Sequence, residues 1–251
     1  MEILTVLFWA TIGSVFSLVG GLLLVRAKHV NEKVIELALP FGAGALLAAA
    51  FLDLLPEAFE GTEQALMYAL GGFLLFFVLE RVLGWFHHHH QHGDEHGVRN
   101  KTHVNLVIIG DTIHNAIDGI AIGAAFLVSV PTGIITAIAV AAHEIPQEIG
   151  DFGILLGKGM RPRRVVIVNL LSALATVVAA LVTFWIGSDS YLPVSQLLAL
   201  VAGMFIYIAA SDIIPDIHEK PHATAARQSL MLLLGVAVVA MAIYALNGLV
   251  G

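Results

Sequence analysis

Two short runs, His114-Asn115-Ala116-Ile117-Asp118 and His143-Glu144-Ile145-Pro146-Gln147-Glu148, place imidazoles, amides and carboxylates inside segments otherwise apolar enough to cross a bilayer. Each ionisable side chain at the centre of a membrane helix costs about 2.5–3.5 kcal/mol on insertion scales. His114, Asp118, His143, Glu144 and Glu148 together therefore need a compensating partner, and neither run holds a lysine or arginine to supply one. A divalent cation neutralises carboxylates and accepts the lone pairs of neutral imidazole, so these residue types point to a bound metal. Helical spacing agrees: Asp111, His114, Asn115 and Asp118 share one face of their helix. On the second segment His143, Gln147 and Asp151 form one row, with Glu144 and Glu148 on the adjoining one. His143 and Glu148 stand about 140° apart around the axis, which assigns Glu148 to a second position or a proton path. Asp111 and Asp151 are suited to holding the imidazoles from behind. Pro146 removes the backbone bond to the carbonyl of Ala142, which predicts a kink and a free oxygen beside the site.

The elements that must position these groups are membrane helices. The chain has 251 residues, of which 58% are hydrophobic and 12% charged, against a charged share of about 25% in an average soluble domain. Mean hydropathy is +0.89. Windows of about 20 apolar residues predict eight spans: Ile3–Val25, Val34–Leu55, Ala65–Phe86, Val104–Val128, Thr132–Leu156, Val165–Ile186, Val194–Pro215 and Ala226–Leu249. The expected fold is thus all-α, a polytopic membrane protein forming one transmembrane domain over residues 1–251. The first span runs into Arg26 and Lys28 without a small-residue cleavage site, the pattern of a retained helix. With no cysteine, disulfides and thiolate metal sites are excluded. The net charge of -7 argues against nucleic acid as a partner.

Basic residues give an orientation. Arg26, Lys28 and Lys33, then Arg99 and Lys101, then Lys158, Arg161, Arg163 and Arg164, then Lys220 and Arg227 follow alternate spans, whereas the opposite loops hold Glu57, Glu60, Glu63 and Asp189. The positive-inside rule puts both termini outside. His114 lies ten residues into its span and His143 eleven into the next from the other side, so each is about 15 Å deep, at the midplane.

The second span ends Asp53-Leu54-Leu55-Pro56-Glu57 and the seventh Asp212-Ile213-Ile214-Pro215-Asp216. This weak internal repeat predicts a 3+2+3 inverted organisation, with one acid near each mouth of a pathway through Asp53 and, at the other end, Asp212 and His218. The bland alternative is that the acids sit near headgroups and the prolines end helices. The tract at 87–103, which includes His87-His88-His89-His90-Gln91-His92 and His103, reads as a flexible cytoplasmic loop that holds metal weakly, or else as a solvated loop without a transport role.

The paired motifs resemble those of the ZIP (Zrt/Irt-like) family of divalent metal transporters. His114-Asn115-x-x-Asp118-Gly119 is similar to the family's HNxxD motif, and His143-Glu144-Ile145-Pro146-Gln147-Glu148-Ile149-Gly150-Asp151 to the HEIPHE signature of one subfamily. The resemblance implies that His114, Asp118, His143 and Gln147 form the main transport site, with Asn115 and Glu144 on an adjoining one. It also implies alternating access, in which the fourth and fifth helices move with the first and sixth against the rest, in a homodimer. The expected function is uptake of Zn²⁺, or of Fe²⁺, Mn²⁺, Co²⁺ or Cd²⁺, towards the cytoplasm across a plasma or inner membrane.

Two departures stand out. Gln147 replaces the signature's second histidine with a weaker carbonyl oxygen ligand. Where many bacterial relatives have a glutamate in the sixth helix, this chain reads Ser172-Ala173-Leu174-Ala175-Thr176, which weakens the second position. A different class, an intramembrane zinc metalloprotease, is suggested by His143-Glu144-x-x-Gln147, but the protease motif needs histidine at the fifth place.

Overall fold

A computed structural model describes residues 2–15, 17–19, 22, 32–89, 96–189, 192–215 and 222–247. Among them there is no strand, and a helical segment overlaps each of the eight expected spans. The fold is all-α. In chain order the main elements are α1 (Glu2–Ser14), α2 (Glu32–Ala49), α3 (Leu55–Gly61), α4 (Ala65–His89), α5 (His96–Val128), α6 (Val130–Gly157), α7 (Pro162–Asp189), α8 (Val194–Ile208) and α9 (His222–Asn247).

Among the described residues, four stretches are long and apolar enough to cross a membrane by themselves: Leu37–Gly61, Pro162–Ser188, Val194–Ser211 and Thr224–Leu246. The helices α5 and α6 have the length too, but their apolar runs are interrupted by the histidines and acids of the two motifs. Helix α1 stops at Ser14, where hydroxyls compete for backbone carbonyls: Thr11 donates to Leu7 O and Ser14 to Ala10 O. Ser14 and Ser17 are both buried, so this break lies inside protein rather than against lipid.

Only Ser129 separates α5 from α6. Its side chain caps α6 by accepting from the Thr132 N–H at 3.1 Å, and Pro131 fills the first turn. The next turn, from α6 to α7, uses Gly159 at φ 83°, a left-handed conformation natural to glycine. The Met160 N–H there returns to Leu155 O and closes the end of α6.

The internal repeat seen in the DxxP pattern is carried into the backbone. α2 continues to α3 through a π-helical turn, Ala50–Leu54, and α8 ends in another, Ala209–Ile213. Asp53 is the fourth residue of the first and Asp212 the fourth of the second. Pro56 and Pro215 follow at the same spacing and supply no N–H, so the helical ladder is interrupted just beyond each turn. Wide turns of this kind concentrate at functional sites.

Glycines repeat the theme. A Cβ on Gly44 would collide with Leu232 O and one on Gly235 with Phe41 O, which joins α2 to α9; likewise Gly72 meets Leu200 O and Gly203 meets Ala69 O, which joins α4 to α8. In each pair the carbonyl lies three residues before the glycine of its own helix. Small residues let membrane helices approach to backbone contact. The largest hydrophobic cluster, with Leu46, Leu54, Ile122, Leu198 and Phe205, fills the space between these pairs and α5.

The His-rich tract differs from expectation at both ends. Residues 87–89 continue α4 and residues 96–103 begin α5, because no proline stops either helix there. Residues 90–95 lie outside the described residues.

Candidate metal site

α5 and α6 bring four ligand-bearing side chains together: His114 and Asp118 from the first, His143 and Glu144 from the second. His114 and Asp118 are one turn apart on a single face, so both side chains reach the same point. Asp118 and Glu144 are fully buried and His143 is 3% exposed. The atoms converge closely. His143 Nε2 lies 3.1 Å from Asp118 Oδ2 and 3.2 Å from His114 Nε2. His114 Nε2 lies 3.4 Å from Glu144 Oε1 and 3.6 Å from Asp118 Oδ2, and His143 Nε2 is 3.7 Å from Glu144 Oε1.

Those separations have a chemical meaning. Four ligands held at about 2.0–2.1 Å from a tetrahedral ion stand about 3.3 Å from one another. The five separations that involve a histidine scatter around that value.

Protonation strengthens the point. His143 Nδ1 sits 3.1 Å from Ala139 O, and a carbonyl only accepts, so Nδ1 carries the hydrogen. In the neutral ring Nε2 then offers a lone pair towards Asp118, and two acceptors face each other. Neither oxygen of Asp118 or Glu144 has a hydrogen-bond donor. Two imidazole nitrogens and two carboxylates without a hydrogen-bond donor, gathered around one point, are the ligand types that a divalent cation takes.

Two aromatic rings wall the cluster. Phe76 of α4 meets the His114 ring edge-on at 5.8 Å, and Phe205 of α8 lies 6.2 Å from the His143 ring. Sequence reasoning missed both, since a phenylalanine in an apolar helix has no signature of its own. Gly42 was also missed as a site residue: a Cβ there would lie 2.8 Å from Ala142 O and 2.8 Å from His143 Cα. The carbonyl that Pro146 leaves without its helical donor is thus pressed against α2, while α6 remains helical throughout.

Other expected residues fall around this centre. Glu144, which residue type groups with His114, Asp118 and His143 and which the resemblance puts on an adjoining position, lies in the same cluster as those three. Asn115 is fully buried and bonds to Asp111, Ser172 and Thr176. Glu148 is fully buried with both oxygens unpartnered. Gln147 is half-buried on the same helix. Asp111 is buried and accepts from Asn115, so the outer partner of His143 is the Ala139 carbonyl rather than an acid. Asp151 is half-buried. Asp53 is buried in its π turn with Oδ2 unpartnered. The backbone of Asp212 occupies the second π turn. His218 lies outside the described residues.

The family described as ZIP zinc transporter matches this chain over residues 2–106 and 86–243. The chain belongs to that family. It is accordingly an integral membrane protein. Among curated relatives, the zinc transporter ZIP10 of Danio rerio is 42% identical over 111 residues, 44% of this chain and 13% of that protein. Human ZIP10 is 43% identical over 111 residues, again 44% of this chain and 13% of the relative. The metal cation symporter ZIP14 of Xenopus tropicalis is 29% identical over 280 residues, covering 83% of this chain and 60% of its own length. The match therefore takes in only a small part of each ZIP10 and rather more than half of this ZIP14.

Proposed function

We propose that this protein carries Zn²⁺ or a similar divalent ion across the membrane, holding it between α5 and α6 on His114, Asp118, His143 and Glu144. The observation that carries this reading is the five contacts of 3.1–3.7 Å made by the two histidines with each other and with both acids, closed by buried carboxylates that have no other donor. Two nitrogens and two carboxylate oxygens suit Zn²⁺, Fe²⁺, Mn²⁺, Co²⁺ or Cd²⁺ and disfavour Ca²⁺, which takes six to eight oxygens. The zinc- and cation-transporter names of the relatives agree.

The ion is substrate and must leave again. Gln147 and Glu148 extend the ligand series along α6, and Asp53 and Asp212 stand at the repeated turns as entry and exit stations, with His218 beyond. The basic loops support an orientation with both termini outside, and the reading that goes with it is uptake towards the cytoplasm across a plasma or inner membrane. A homodimer is the assembly that the family resemblance implies. The metalloprotease reading loses ground: its second imidazole would stand at Gln147, and Glu144, its candidate base, points among the ligands.

Reconstituting the purified chain in liposomes and following ⁶⁵Zn²⁺ entry tests the reading. His143→Ala is expected to abolish flux while insertion and folding persist. Flux at the native rate in that variant would overturn it.

A further inference from the structure

The two imidazoles of the cluster are held in different ways. His143 is anchored within its own helix, through Nδ1 and the Ala139 carbonyl one turn back, and its side chain is 2% exposed. The His114 side chain is 11% exposed, and among the described residues its polar contacts all run through Nε2, to His143, Asp118 and Glu144. What meets its ring from outside the cluster is Phe76 of α4, at 5.8 Å and an interplanar angle of 82°.

Phe76 is itself fixed by packing. It is buried and stands 5.7 Å from the ring of Tyr207 on α8, which Phe73 meets edge-on at 5.1 Å. Phe76 lies four residues after Gly72 and Tyr207 four after Gly203, the two glycines at which α4 and α8 come into backbone contact. The rings are thus stacked one turn beyond the tightest point of that crossing, on the same helix faces. Phe205 is placed differently: it is fully buried and tilted at 60° to the His143 ring, which already has its hydrogen bond.

A metal-bound histidine depends on an outer contact that fixes the orientation of its ring. For His143 that contact is a hydrogen bond; for His114 it is an aromatic ring on another helix. Rotation of the His114 side chain withdraws Nε2 from the ion at the expense of one ring contact, whereas His143 would also have to give up the Ala139 carbonyl. We propose that Phe76 is the positioning residue for His114. By keeping Nε2 turned towards Asp118 and Glu144 it sets how long the ion stays, and His114 is the imidazole that lets go first. The proposal rests on the metal reading above and adds to it an order of release.

Release of Zn²⁺ from the purified full-length chain into excess chelator, followed by stopped flow, reads the residence time directly. A T-shaped aromatic contact is worth roughly twofold to tenfold in an equilibrium. Phe76→Leu is expected to speed release by a factor in that range and to leave association unchanged, and Phe205→Leu to change release less. The Co²⁺-loaded chain supplies a readout that looser packing alone would not move. Its four-coordinate visible band should weaken in Phe76→Leu, as His114 spends part of its time off the ion, and stay native in Phe205→Leu. Phe76→Met is expected to act in the same direction and replaces the leucine variant if that one does not fold. Native release, a native Co²⁺ band, or equal changes in the Phe76 and Phe205 variants would each overturn the role of Phe76 and leave the site standing. Undiminished zinc binding in His143→Ala would instead fail the site itself.

Discussion

Gly42→Ala tests how closely the site depends on helix approach. The added Cβ would stand 2.8 Å from both Ala142 O and His143 Cα, where ordinary contact begins near 3.4 Å. Both obstacles are backbone, so no side chain can swing aside, and α2 and α6 must separate by roughly 0.5 Å, the tolerance within which a ligand constellation has to be held. Overpacking of this kind costs about 1–3 kcal/mol. Taking about 2 kcal/mol, the conformation in which α2 touches α6 at His143 loses roughly thirtyfold against states in which they part. Zinc affinity of this state should fall by up to that factor, and thermal stability should drop. The control is Gly71→Ala, a helical glycine with nothing within 4 Å of its added methyl. It should be neutral or stabilising by up to about 1 kcal/mol, as alanine is the better helix former. Zinc titration and thermal unfolding of both variants in the same detergent make the comparison. If Gly42→Ala behaves as Gly71→Ala does in both, the view that α2 sets the position of His143 is wrong.

Other perturbations probe separate links. Gln147→His supplies a second imidazole on the row of His143 and is expected to tighten zinc binding, read by competition with a chelating dye; unchanged affinity would place residue 147 away from the ion. Gly119→Val forces a branched side chain into Thr176 O and Ala179, so thermal stability should fall by about 1–3 kcal/mol, and unaltered unfolding would contradict the close α5–α7 seam. Removing residues 87–92 tests the His-rich tract: if it collects ions rather than carrying them, ⁶⁵Zn²⁺ uptake slows at limiting metal and the saturated rate stays intact, whereas unchanged uptake at limiting metal supports the solvated loop.

Much of this protein was legible in the chain because the bilayer imposes simple rules. Long apolar windows dictate helices, and an acid or imidazole within one must find a partner. Hence the helical fold, the two motif-bearing segments and the cluster of His114, Asp118 and His143 followed from residue type and spacing alone. The repeat in DxxP was visible too, but only as two identical residues, an aspartate and a proline, at the same spacing.

What only the tertiary structure decided concerns directions that sequence spacing leaves open. Glu144 and Gln147 both stood within reach of His143 by helical arithmetic, and packing of α6 on α5 brought the Glu144 carboxylate into the ligand set. Asn115 and His114 are adjacent in sequence, yet about 100° of rotation puts one against α7 and the other against α6. The glycines that join α2 to α9 and α4 to α8 look alike in the chain with every other small residue. Which carbonyl each one meets depends on how whole helices cross, and that is a property of three-dimensional packing, where contacts distant in sequence are settled together.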